Sequence, residues 1–185
     1  MASRFIYPTI GLTLVSCAAP PRIDDFERTL ALQDSATAAL GQWCMAHRIA
    51  DPATIRARPV PGPAPAPSKE HYVRLGIGMD EPLGYRHVQL TCGDTVLSEA
   101  HNWFVPSRLT AAMNEELAAS DTPFGKVIAP LGFVRERLAS RRGPSNFCTD
   151  PATVLSQMAL LRLPDGRPVS LVAECYTAAN LGLRR

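Results

Sequence analysis

Two stretches of the chain alternate apolar and polar residues with the period of a strand, and each carries a charge on its apolar face. In Tyr85-Arg86-His87-Val88-Gln89-Leu90, Arg86 is in phase with Val88, Leu90 and Cys92. In Ser170-Leu171-Val172-Ala173-Glu174-Cys175-Tyr176, Glu174 is in phase with Val172 and Tyr176. A charge on a core-facing position is costly unless it is paired. The two residues therefore mark either a ligand pocket or a structural ion pair.

The rest of the pattern frames these strands. Apolar residues recur at helical spacing from Asp24 to about Ile49, which predicts one amphipathic helix with room for a turn at Ser35. Pro59 to Ser68 is a stiff, proline-rich loop. Strands are predicted at His71–Ile77, Leu83–Thr91 and Thr95–Val105, the last two joined by the turn Gly93-Asp94. Leu109 to Ser120 reads as a helix, and a second, short one follows with Thr122 as its cap and Pro123 at its first position. A strand at Gly132–Ala139 precedes a polar loop, Ser140 to Asp150. Two final strands, Met158–Leu163 and Pro168–Tyr176, flank the turn Pro164-Asp165-Gly166-Arg167. Strands in hairpins with helices inserted predict an α+β fold on an antiparallel sheet of about six strands.

Length and charge narrow the function. A chain of 185 residues, 46% hydrophobic and 19% charged, suits one domain with an ordinary core. A net charge of +2 without a basic run offers nucleic acid no electrostatic footprint. The first residues read differently from the rest. Arg4 precedes an apolar run from Phe5 to Ser16, and Leu14-Val15-Ser16-Cys17 resembles a bacterial lipoprotein processing signal. On that reading residues 1–16 are a signal peptide, Cys17 is lipidated, 17–23 form a tether and 24–185 the domain. The protein would face the periplasm, at the outer membrane, touching the bilayer through its lipid alone. If the signal is not used, the protein is cytoplasmic.

Removing Cys17 leaves Cys44, Cys92, Cys148 and Cys175, enough for two disulfides in an oxidising compartment, with three pairings open. Cys92 and Cys175 both fall on strands and are candidate neighbours across the sheet; the bland reading is small buried hydrophobes. There is no CxxC, and His47, His71, His87 and His101 show no ligand-like spacing, so neither metal nor cofactor is expected. Arg135 and Arg137 alternate on a strand and read as a solvated face, with a pocket mouth as the sharper alternative. Trp103 reads as core. No GxSxG elbow, P-loop or GxGxxG fingerprint is present.

The order of motifs resembles the chorismate lyase family. It runs from Arg86-His-Val-Gln-Leu through a hairpin to Trp103-Phe-Val-Pro106, a helix, Thr122-Pro-Phe-Gly125, and Pro168-Val-Ser-Leu-Val-Ala-Glu174. Leu32-Gln-Asp-Ser-Ala-Thr37 resembles that family's early helix, and the likeness covers about Asp24 to Tyr176. It implies a sheet whose helices cover an aromatic-acid pocket, an architecture shared with ligand-sensing domains of some regulators. It implies that Arg86 grips the ring carboxylate and that Glu174 meets the hydroxyl end. Phe124 stands against the ring, where the family usually has leucine. The basic residue that the family carries near Asn102 is missing. The implied activity is elimination of pyruvate from chorismate to give 4-hydroxybenzoate, by a monomer with Arg86 and Glu174 catalytic. The alternatives are an envelope lipoprotein that binds a small aromatic carboxylate without turnover, and a structural protein with a vestigial pocket.

Overall fold

The computed structural model describes residues 20–183. The signal-peptide and Cys17 expectations lie outside these residues. Six strands form one sheet in the order β1-β2-β3-β6-β5-β4, every neighbouring pair antiparallel. They are β1 (Ile55–Pro59), β2 (Gly84–Cys92), β3 (Thr95–Phe104), β4 (Val134–Arg142), β5 (Thr153–Arg162) and β6 (Pro168–Thr177). The helices are α1 (Ile23–Ala31), α2 (Ala36–Ala46), α3 (Lys69–Leu75), α4 (Ala111–Ala119) and α5 (Phe124–Val127). This is the expected α+β class with a chorismate-lyase-like sheet. Among the described residues no helix is long and apolar enough to cross a membrane.

The two hairpins form where turn chemistry demands them. Gly93 sits in the left-handed region between β2 and β3, and Gly166 does the same between β5 and β6. From β3 the chain leaves through α4 and α5 to the far edge, β4, and returns inward through β5 to β6. That path places the strands bearing Arg86 and Glu174 with only β3 between them.

Four expectations change. The long first helix is two, because Ser35 caps α2 by accepting from the Ala38 N–H, and the exposed Leu32 ends α1. His71–Ile77 is helical rather than extended. Its α3 begins with Ser68, whose backbone N–H donates to His71 Nδ1 at 3.0 Å, and ends at Gly76 in the left-handed conformation. Leu75 is then fully buried against the sheet. The sixth strand is instead β1, whose five residues bury only Ile55 and Ala57 and so give almost no alternation to read. In the Thr-Pro-Phe-Gly segment the cap is Pro123, and Phe124 is the first helical residue.

The cysteines pair as Cys44–Cys92 and Cys148–Cys175. Cys92 and Cys175 are not partners. Cys175 lies opposite Glu99 of β3, whereas Cys92 ends β2 beneath α2. One bridge therefore ties the helical layer to the sheet, and the other ties the 143–152 loop to β6.

Candidate functional site: a cavity with buried charges

One face of the sheet carries Arg86, Val88 and Leu90 from β2, Ala100 and Asn102 from β3, and Val172 and Glu174 from β6, as alternation requires. The α1–α2 turn (Asp34 to Thr37) and the start of α5 (Phe124, Gly125) close over it. The free space is about 40 Å³, room for a few ordered waters. Arg86, Phe124 and Glu174, the three residues singled out for a ligand, all line it. Much of the wall is apolar, including Phe133 and Leu161, and Phe124 is buried with its ring 5.4 Å from that of Phe104.

The two charges are held differently. Arg86 is half-buried and donates to two backbone carbonyls, Thr122 O and Ser120 O, both at 3.1 Å. These bonds fix the approach to α5. Among the described residues no carboxylate pairs with Arg86, and burial pulls its pKa below the ordinary arginine value. Its positive charge is thus uncompensated at the cavity wall.

Glu174 is compensated. Arg135 reaches from β4 and ion-pairs with Glu174 Oε2, and the Tyr176 hydroxyl donates to the same oxygen at 3.0 Å. The two paired side chains are 5% and 7% exposed, so Arg135 does not belong to a solvated face. Burial alone would lower the Arg135 pKa, but Glu174 and Tyr176 raise it above the usual value. Burial, with Glu174 beside it, pushes the Tyr176 hydroxyl well up. Asp34 accepts from the Arg135 backbone N–H at 3.0 Å, tying the α1–α2 turn to the pair.

In the sequence Arg135 showed only an alternation with Arg137 that favoured a solvated face over a pocket mouth. β4 is an edge strand exposed along most of its length, so its alternation carries no core-facing pattern. Asn102 was visible only as a departure from the family, yet it lines the cavity and accepts from Ser170 Oγ. The Pro59–Ser68 loop is exposed and contributes nothing to the wall. Trp103 faces the other side of the sheet, half-buried against α3.

The opposite face holds a second group. His87 and His101 are register partners on β2 and β3, with rings stacked at 4.1 Å, and Glu99 lies two residues along from His101. His87 Nε2 is 2.6 Å from Glu99 Oε1, and the Tyr85 hydroxyl is 2.7 Å from His101 Nδ1.

The fold is that of α+β domains of the chorismate-lyase-like class. The effector domain of PhnF from Mycobacterium smegmatis superposes with a TM-score of 0.54 at 12% identity, covering 79% of this chain and 90% of that one. The longer PhnF chain gives 0.56 at 12% identity over 80% of this chain and 66% of its own. The possible transcriptional regulator YydK from Bacillus subtilis gives 0.50 at 16% identity over 68% of this chain and 58% of its own. At these identities the likeness is one of fold. No family model matches the sequence. The chain is 41% identical over 196 residues to the uncharacterized protein y4mC of Sinorhizobium fredii, covering 96% of this chain and 81% of that protein. It belongs to the family of that protein.

Proposed function

We propose that the domain binds a small carboxylate ligand, aromatic or similarly flat, with Arg86 gripping the carboxylate and Phe124 against the apolar body. The carrying observation is Arg86 itself, a half-buried guanidinium on a cavity wall with no acidic partner among the described residues. An anion supplies the missing charge, and a planar carboxylate matches the guanidinium fork. The free space is smaller than a benzoate-sized molecule, so entry requires the α1–α2 turn to part from α5. Gly125 marks that contact, since a Cβ there would lie 2.6 Å from Ser35 Oγ.

Elimination of pyruvate from chorismate is the second reading, favoured by Arg86 and Glu174 lining one cavity in the order the family resemblance implies. Glu174 is already engaged by Arg135 and Tyr176, which suits holding a ligand hydroxyl better than moving its proton. Export would also separate the protein from cytoplasmic chorismate, a dianion that does not cross a bilayer unaided. The two disulfides support export, because such bridges persist in oxidising compartments. We propose, from the Cys17 signal, that the protein is lipid-anchored in the cell envelope, and that it acts as a monomer. Cys17→Ala should abolish palmitate labelling if so.

Calorimetric titration of the purified chain with 4-hydroxybenzoate and a panel of small carboxylates tests the site. Binding should weaken at least about thirtyfold in Arg86→Gln, the equivalent of 2 kcal/mol or more for losing a charge-assisted grip. Binding indifferent to Arg86, or no binding across the panel, sinks the proposal. Pyruvate release from chorismate that fails in Glu174→Gln would favour the lyase over the binder.

A further inference from the structure

We propose that Glu99, His87 and His101 form a binding site for a divalent zinc-class cation, on the sheet face opposite the cavity. The three side chains come from paired strands, and one ligand atom from each lies within 4.8 Å of the other two. A zinc ion bonds imidazole nitrogen and carboxylate oxygen at about 2.0–2.2 Å, so ligand atoms no more than roughly 4 Å apart can share one. A side-chain adjustment of under about 1 Å closes the present spacing, and three protein ligands leave a fourth position for water.

Two further features fit a metal site better than a chance polar pair. The Tyr85 hydroxyl lies 2.7 Å from His101 Nδ1, and in the tautomer whose Nδ1–H donates to that oxygen, Nε2 carries the lone pair a cation needs. A hydrogen-bond partner on the non-ligating nitrogen is the usual way such a ring is aimed. The site is also reachable. The His87 and Glu99 side chains are 21% and 40% exposed, and Glu99 borders an open groove of about 610 Å³. An ion can therefore enter without unfolding the sheet. Linear spacing hides the site, because hairpin register, not a short motif, brings His87 to His101.

The test uses the purified full chain, stripped with chelator and dialysed against micromolar zinc chloride, with bound metal counted per chain. One zinc ion per chain is expected. His87→Ala, His101→Ala and Glu99→Ala should each abolish stoichiometric uptake, Tyr85→Phe should weaken it by about tenfold, and His47→Ala should leave it unchanged. In case a variant is unstable, cobalt in the wild-type chain gives an independent readout. Intense visible bands of a four-coordinate ion, displaced by zinc, are expected. No uptake by the wild-type chain, undiminished uptake by the His87→Ala/His101→Ala chain, or cobalt spectra of the plain aqueous ion would each overturn the site.

Discussion

The two faces of the sheet treat charge in opposite ways. On the cavity face Arg135 and Glu174 are almost wholly removed from water and rely on each other, on Tyr176 and on Asp34. On the other face His87 and Glu99 form their pair half in solvent beside a wide groove. Desolvation makes the first arrangement stringent, since each buried ion costs several kcal/mol unless its partner stays in place. Water screens the second, and its pairing is worth at most about 1 kcal/mol. Arg86 stands between these extremes: half-buried, bonded only to backbone carbonyls, and left with charge to spare. A ligand is the natural complement to a charge in that position.

Breaking the buried pair should give the largest effect. Arg135→Ala leaves Glu174 as an uncompensated buried charge and should cost about 3–5 kcal/mol in urea unfolding. Replacing both residues with leucine should recover most of that loss. If Arg135→Ala behaves like a surface substitution, water reaches the Arg135–Glu174 pair and the cavity face is wet.

The disulfides sharpen the comparison because one serves each face. Cys44–Cys92 closes a span of 48 residues and anchors the helical layer over the cavity, whereas Cys148–Cys175 closes 27 and anchors a loop. Loop-closure entropy gives about 4 kcal/mol for the first and about 3.5 for the second. Cys44→Ala/Cys92→Ala should therefore lower the unfolding midpoint slightly more than Cys148→Ala/Cys175→Ala. It should also loosen ligand binding, which the second pair should leave alone.

Acid gives the smallest and most one-sided response. Burial lowers the pKa of both His71 and His101, and both belong to the face away from the cavity. A histidine whose folded pKa lies below its unfolded value of 6.5 takes up more protons when unfolded. Stability is then complete above that value and falls as pH drops below it. Protonation of His71 also removes the lone pair that accepts the Ser68 N–H at the start of α3. The thermal midpoint should decline modestly below about pH 6.5, and His71→Gln should flatten part of that decline. An unchanged slope would mean that α3 does not depend on its cap.

Some of this was legible residue by residue. The hairpins at Gly93 and Gly166 announced themselves because turn chemistry is local, and the period of two placed Arg86 and Glu174 on a common inward face. The same local rule misread His71–Ile77, whose alternation suits a strand while Ser68 and Gly76 frame a helix. It passed over β1, too short to show a pattern.

The chain's own pattern thus determined the class of fold, the sheet-forming hairpins and two of the charges that face the cavity. Only the tertiary structure decided which groups those charges meet. Arg135 reaches Glu174 because β4 returns to the sheet through β5, the cysteines pair by which layer covers which strand, and His87 meets His101 through register. Each is a contact between residues distant in sequence, and its position follows from how whole elements bury their apolar faces together rather than from any preference of the residues taken singly.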